Sequence, residues 1–230
     1  MPLPTTYFTL PMSQAIIFDV EATDKNDAVI IEAASLDVTS LAPFEVGNPW
    51  VQRYNPGKPI SLGALATHHI MDEELVSCPP SSSFKLPAGT KYLIGHNIDF
   101  DWVAIGSPEV KRICTLALAR SLWPELDSHT QSALLYFFER DIAREQLRNA
   151  HSALADVWIC SKIVGKIIEK LHPTSLDAFW EMSEKARIPT IMPFGKHKGE
   201  AISQVPTDYK QWMLRQDNVS EYLRKALESK

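Results

Sequence analysis

The order of the apolar segments predicts an α/β protein in which helices cover a mixed sheet. Segments with strand character lie at residues 15–18, 28–36 and 50–54, and a fourth lies at residues 91–95. A helical segment separates the third strand from the fourth, and longer helices follow. Strands joined by short turns pair antiparallel, whereas strands joined through helices usually pair parallel. We therefore expect three antiparallel strands followed by a parallel one.

Turn-forming residues set the limits of these strands. The polar run at residues 23–27 predicts a hairpin between the first two strands. Residues 50–54 alternate between apolar and polar side chains, and the Asn-Pro-Gly-Lys-Pro run at residues 55–59 ends that strand. Residues 60–76 have the pattern of one or two helical turns, and the Ser- and Pro-rich residues 79–87 predict a loop.

Helix signals dominate the chain after the fourth strand. We expect helices at residues 114–123, 131–141 and 152–171. Pro124 ends the first of them, and Ser152 is a suitable N-cap for the last.

The chain is predicted to form a main domain and a small C-terminal unit. The main domain spans residues 14–172, and residues 173–190 form a linker or a short bridging helix. Residues 191–230 form the small unit, in which a Phe-Gly-Lys-His-Lys-Gly segment precedes an amphipathic helix. A chain of 230 residues is long enough for this arrangement.

Composition and cysteine usage predict a cytoplasmic protein without a membrane partner. The chain is 45% hydrophobic and 22% charged, which is typical of globular proteins. No apolar run reaches the length of a membrane span, and residues 1–13 lack the basic residues of a secretory signal. Cys78, Cys114 and Cys160 form no C-x-x-C pattern, so we expect neither disulfides nor a zinc site.

Net charge does not decide for or against nucleic acid. The chain carries a formal charge of −5, but the charge is unevenly distributed. Residues 181–230 hold nine Lys and Arg against seven Asp and Glu, whereas residues 1–180 hold fourteen against twenty-one. Carboxylates that bind cations would offset part of this deficit.

An Asp and a Glu follow the first strand with one residue between them. Side chains at positions i and i+2 of a strand point to the same face, so Asp19 and Glu21 direct two carboxylates to one place. Two carboxylates that lie so close repel each other unless a cation lies between them. Oxygen ligands are those that Mg²⁺ and similar ions prefer.

Two further motifs supply partners for this pair. The His-Asn-x-x-Phe-Asp motif places Asp101 just after the fourth strand, where Asp99 competes for the same role. The His-x-x-x-x-Asp motif places His151 before the last long helix and Asp156 in its first turns. Glu32, on the second strand, is predicted to have a structural role.

Five of these residues together resemble the signature of the DEDDh exonucleases of the DnaQ-like family, which have a ribonuclease H-like fold. They are Asp19, Glu21, Asp101, His151 and Asp156. The resemblance covers residues 15–171, with three separated motifs in the right order. Within the family, the likeness is greatest to the exodeoxyribonuclease X group, in which a Phe-Gly-Lys-aromatic-Lys-Gly segment follows the nuclease domain. Here His197 takes the place of the aromatic residue, and Asp24 stands where the first motif usually has glycine.

The resemblance implies a metal-dependent 3′→5′ exodeoxyribonuclease that releases nucleoside 5′-monophosphates and acts in DNA repair. Two Mg²⁺ or Mn²⁺ ions suit this reaction, because one can activate water while the other stabilises the leaving oxygen. Asp19 is expected to bridge the ions, Glu21 and Asp156 to complete one site, and Asp101 to hold the second ion. His151 is expected to be the general base, since its usual pKa lies near 6.5.

The implied substrate is DNA, with single-stranded 3′ ends, and a homodimer or a repair or replication partner stays open. We expect the terminal nucleotide to lie against Val20, Ala22, Thr23, His68 and Asn97. The other interpretations are that His68 packs inside the fold and that Asn97 organises its turn. Two interpretations remain for Lys196, His197 and Lys198: they contact DNA, or they form a tight turn on a small hydrophobic cluster.

Three alternatives share the same fold. An RNA 3′→5′ exonuclease and a polymerase proofreading subunit of the same superfamily would use the same carboxylates. A non-catalytic nucleic-acid-binding module of this fold would have lost some of them, and this chain retains all four.

Overall fold

The computed structural model describes residues 13–149, 152–217 and 219–229. Five strands form one sheet in the order β3-β2-β1-β4-β5. β1 pairs antiparallel with β2 and parallel with β4, which confirms the predicted mixed sheet. The strands are β1 (Ala15–Ala22), β2 (Ile30–Leu41), β3 (Phe44–Arg53), β4 (Tyr92–Gly95) and β5 (Lys111–Cys114).

Helices cover both faces of this sheet. α7 packs on β1, β2 and β3, and α3 packs on β1. The helices are α1 (Leu62–His68), α2 (Asp72–Leu75), α3 (Asp99–Ala104), α4 (Thr115–Leu122), α5 (Gln131–Phe138), α6 (Arg140–Gln146), α7 (Ala153–Leu171), α8 (Leu176–Arg187), α9 (Thr207–Met213) and α10 (Glu221–Glu228).

The central strand β1 divides the core into two clusters. Ile17 packs with Ile163 of α7 on one face of the sheet. Ile16 and Phe18 pack on the other face, in a separate cluster. Because alternate residues share a face, Asp19 continues the face covered by α7. The alternation along β1 therefore directs the acidic residues towards the helix that carries the third motif.

The structure adds elements that the sequence patterns did not indicate. β5 is a short edge strand with two basic residues among its four, so it lacks a long apolar run. The helix predicted at residues 131–141 is two helices, α5 and α6, separated at Glu139. α8 lies in residues 173–190, where a linker or a short helix was expected, and α10 had no prediction. The division into domains stays a prediction.

The C-terminal residues have a small hydrophobic cluster of their own. Eight buried residues form it: Met192, Ile202, Val205, Met213, Val219, Leu223, Ala226 and Leu227. α10 also contacts α8, because the Tyr222 hydroxyl donates a hydrogen bond to Glu184 at 2.9 Å. Within the described residues, no helix is long and apolar enough to cross a membrane.

Candidate active site

Three carboxylates from two elements converge at the end of β1. Asp19 and Glu21 project from β1, and Asp156 projects from the first turn of α7. One oxygen from each carboxylate lies within 4.8 Å of the others. α7 begins at this position because the Ser152 side chain accepts a hydrogen bond from the backbone N–H of Ala155 at 3.3 Å. The structure thus brings together three of the four predicted metal ligands.

Asp101 lies beside this cluster on α3 and is 4% exposed. Its Oδ1 accepts a hydrogen bond from the backbone N–H of Val20, at 2.9 Å. Asp99, the competing candidate, instead forms ion pairs with Arg112 and Arg187. Asp101 is therefore the acid on α3 that contacts β1.

Burial and mutual repulsion strongly favour protonation of the cluster. Burial, then the charges of Asp101 and Asp156, raise the pKa of Asp19 well above its usual value. Burial, then the charge of Asp156, raise the pKa of Glu21 to about 8. Burial raises the pKa of Asp101 to about 7, although its hydrogen bond from Val20 opposes this shift.

These shifts fit a divalent cation site. A cation among the carboxylates would supply the electrostatic attraction that the carboxylates lack, and its binding would release their protons. The converging ligand atoms are all carboxylate oxygens, which suit Mg²⁺ or Mn²⁺ better than softer metals. The residues present therefore fit the predicted metal.

The raised pKa of Glu21 predicts a pH-dependent stability in the metal-free protein. The folded chain holds this proton more tightly than the unfolded chain, so its stabilising effect is full below about pH 4.5 and is lost as the pH rises to about 8. In EDTA, we expect the melting temperature of wild type to fall relative to that of Glu21→Gln over this range. Thermal melting of both proteins across pH checks this, and parallel curves would contradict it. Mg²⁺ should raise the wild-type melting temperature at pH 8 more than that of the variant.

Glu32 holds the helix that carries Asp156 against the sheet. It lies opposite Glu21 in the register of β1 and β2, and it is 5% exposed. Its Oε1 accepts a hydrogen bond from the backbone N–H of Ala153 (3.1 Å), and its Oε2 accepts one from Nε of Arg53 (2.9 Å). A single sequence gives no signal for the first contact, which joins residues 121 positions apart.

Loss of the Glu32 carboxylate should weaken metal binding. In Glu32→Ala, a buried N–H at the start of α7 loses its acceptor and Arg53 keeps only its exposed ion pair with Glu74, at a cost of about 1–3 kcal/mol in stability. We expect the Mg²⁺ concentration for half-maximal nuclease activity to rise by about tenfold or more, as is common for residues behind a metal ligand. Glu32→Gln retains an acceptor oxygen and is the matched control. An unchanged Mg²⁺ dependence in Glu32→Ala would contradict this role.

The predicted general base, His151, lies outside the described residues. Three of the predicted substrate-binding residues, Val20, Ala22 and Thr23, are buried in and just after β1. The Thr23 hydroxyl accepts a hydrogen bond from the Val29 backbone N–H at 3.2 Å, inside the hairpin. Asn97 is exposed, in the turn after β4, with φ of 68°.

His68 ends α1 and is 7% exposed. Its Nδ1 accepts a hydrogen bond from the Ile70 backbone N–H at 3.0 Å, which places the proton of the neutral ring on Nε2. Burial lowers the pKa of His68, and Nε2 has no hydrogen-bond partner among the described residues. His68 therefore lies beside the backbone of Ala22 at the end of β1, which opposes the lowering of the His68 pKa.

The three C-terminal residues predicted to contact DNA lie on one loop. Lys196 and Lys198 are exposed, and His197 is partly buried. Nδ1 of His197 lies 2.9 Å from a carboxylate oxygen of Glu200.

Comparison with known proteins gives relatives for most of the chain. Exodeoxyribonuclease 10 of Escherichia coli strain K12 is 28% identical over 204 residues, which are 86% of this chain and 90% of the relative. A solved structure of exonuclease X in complex with 5′ overhanging duplex DNA aligns with a TM-score of 0.61 and 25% identity. That alignment covers 74% of this chain and 99% of the relative. Over most of its length the chain is therefore similar to exodeoxyribonuclease 10 and to exonuclease X.

These comparisons confirm the predicted resemblance to DnaQ-like enzymes and, among them, to exodeoxyribonuclease X. They also confirm the prediction that the protein is an exonuclease. A zinc-bound form of E. coli exonuclease I with single-stranded DNA aligns with a TM-score of 0.55 and 18% identity, over 70% of this chain and 42% of that one. This second likeness supports the ribonuclease H-like fold alone.

The C-terminal residues match a different family model. Residues 185–228 match the model described as "Putative quorum-sensing-regulated virulence factor". Because the match covers only this part of the chain, it does not define a family for the whole protein.

Proposed function

We propose that the protein is a metal-dependent 3′→5′ exonuclease that hydrolyses DNA from single-stranded 3′ ends to nucleoside 5′-monophosphates. The observation that carries the proposal is the convergence of Asp19, Glu21 and Asp156 within 4.8 Å. The choice of DNA rests on the similarity to exodeoxyribonuclease 10 and to exonuclease X bound to DNA. A place in DNA repair belongs to the same proposal and rests on the resemblance.

In this proposal, the carboxylates hold the cations and the surrounding backbone holds the carboxylates. Asp19, Glu21 and Asp156 would bind one cation, and Asp19 would share a second with Asp101. Two bound divalent cations would activate water, neutralise charge on the phosphoryl oxygens and stabilise the leaving 3′ oxygen. The Val20 N–H fixes Oδ1 of Asp101, so the side chain keeps one orientation.

In this proposal, residues other than the carboxylates transfer the proton and position the substrate. His151 would take a proton from the attacking water near neutral pH. His68 would offer its Nε2 proton as a hydrogen-bond donor near the terminal nucleotide, and Asn97 would lie near the same nucleotide. Val20, Ala22 and Thr23 would present the backbone that the terminal nucleotide meets at the end of β1.

The proposal is tested with 5′-labelled single-stranded DNA and RNA of matched sequence, in Mg²⁺ or in EDTA. We expect a ladder that shortens from the 3′ end of DNA in Mg²⁺, and none in EDTA or with Asp19→Asn. A ladder on RNA alone would replace the proposed substrate with RNA. If the protein bound both the DNA and the RNA without cleaving either, the proposal that it is an enzyme would be contradicted.

A further inference from the structure

The Phe-Gly-Lys-His-Lys-Gly loop is held against one tyrosine ring. The Tyr209 hydroxyl accepts a hydrogen bond from the backbone N–H of Lys196 at 3.2 Å. A Cβ atom at Gly195 would lie 2.5 Å from that hydroxyl oxygen, and Gly195 has φ of +83°, so only glycine fits here. Gly199, at φ of +85°, turns the chain back at the other end of the loop. These constraints fix the positions from which the lysines project.

An aromatic surface lies beside this loop and is open to solvent. The rings of His197 and Tyr209 meet edge to face at 4.6 Å, and those of Tyr209 and Trp212 lie 5.4 Å apart at 39°. Trp212 is 50% exposed and does not belong to the hydrophobic cluster of the C-terminal unit. A cavity of about 310 Å³ is lined by Lys196, His197, Pro206, Asp208, Tyr209 and Trp212.

The two lysines of the loop have no ion-pair partner among the described residues, although Asp208 also lines the cavity. Among the described residues, neither Lys196 nor Lys198 forms an ion pair, whereas His197 is bonded to Glu200. Residues 181–230 carry a net positive charge, in contrast to the rest of the chain. A loop with unpaired lysine ammonium groups beside the half-exposed ring of Trp212 matches the chemistry of a nucleotide, whose base stacks and whose phosphate is anionic.

We propose that this cavity binds a nucleotide within a single strand of nucleic acid, with a base on Trp212 and the adjoining phosphates on Lys196 and Lys198. The site deepens the proposed function, because it gives the substrate strand a second contact away from the carboxylates. Strand binding does not require catalysis, so the two proposals can fail separately.

The test uses the full chain with Asp19→Asn, in EDTA, so that the strand stays intact. Fluorescein-labelled oligo(dT) and oligo(U) are titrated, and anisotropy gives the dissociation constants. Adding Trp212→Ala should weaken binding of the strand by about tenfold, and Trp212→Phe should restore most of the loss because a ring remains. The double change Lys196→Glu and Lys198→Glu should also weaken binding and reduce its salt dependence.

Matched controls use similar side chains elsewhere. Trp50 is 38% exposed on the outer strand β3, and Lys185 is exposed on α8. Trp50→Ala and Lys185→Glu should leave the dissociation constants unchanged. The proposal would be overturned if Trp212→Ala and the double lysine variant both bound the two strands as tightly as the parent protein does. It would also be overturned if Trp212→Phe did not relieve the binding defect of Trp212→Ala.

Discussion

Replacing Asp19 with asparagine is expected to lower the rate of DNA hydrolysis by about 10³-fold or more, since metal-ion stabilisation of the transition state is worth several kcal/mol. The amide keeps the size of the carboxylate but loses its charge. Asp19 lies at the centre of the acidic cluster, and its pKa responds to Asp101, Asp156 and Glu21. Its loss should therefore affect every predicted ligand at once. Single-turnover cleavage of end-labelled DNA in saturating Mg²⁺ measures this effect.

The same substitution should make the metal-free protein more stable. It replaces a carboxylate whose charged form is disfavoured by burial and by the neighbouring carboxylates. For a chain of this size, each kcal/mol gained raises the melting temperature by about 2–4 °C. Lower activity combined with higher stability distinguishes a functional charge from a structural one.

The exposed acid Asp27 provides a matched control. It lies in the loop after β1 and forms an ion pair with Lys58 at 2.7 Å. Asp27→Asn should leave activity unchanged and shift stability by about 0.5 kcal/mol or less. If Asp19→Asn retained wild-type activity, or if it unfolded the protein, the assignment of Asp19 as a metal ligand would be wrong.

Replacing His151 with alanine is expected to lower kcat by about 10²–10⁴-fold, the usual contribution of a general base. The expectation rests on the sequence motif, in which His151 precedes the helix that carries Asp156. Mg²⁺ binding should be retained, because the converging ligands are carboxylates. The activity of His151→Ala should also lose the rise with pH that a histidine base gives near its pKa.

Metal titrations and pH–rate profiles distinguish a general base from a metal ligand at His151. His172, which ends α7, provides a control, and His172→Ala should keep the wild-type profile. An unchanged pH profile in His151→Ala would assign the base to another group. Loss of metal binding in that variant would make His151 a ligand instead.

The central part of the site could be predicted because local spacing determines it. The i, i+2 relation of Asp19 and Glu21 on a strand needs no knowledge of the rest of the fold. Asp156 follows a capping serine, so its place in the first turn of α7 also follows from the sequence. In the structure, one oxygen from each of these three carboxylates lies within 4.8 Å of the others.

Contacts between distant segments could not be predicted in this way. The bond from the Ala153 N–H to Glu32 depends on how α7 packs across β2. The choice between Asp99 and Asp101 depends on Arg187, which lies 88 positions from Asp99. β5 escaped prediction because an edge strand with two basic residues lacks the apolar pattern of a buried strand. Tertiary packing, rather than local pattern, decides all three.

Direct measurement of bound Mn²⁺ tests the metal site at the centre of this account. Electron paramagnetic resonance counts free and bound Mn²⁺ as wild type and Asp19→Asn are titrated near pH 8, where Mg²⁺ should compete. Wild type is expected to bind Mn²⁺ at up to two sites that Mg²⁺ displaces, and Asp19→Asn is expected to bind it much more weakly. Equal binding by the two proteins, or none by wild type, would contradict a catalytic cation held by Asp19, Glu21 and Asp156.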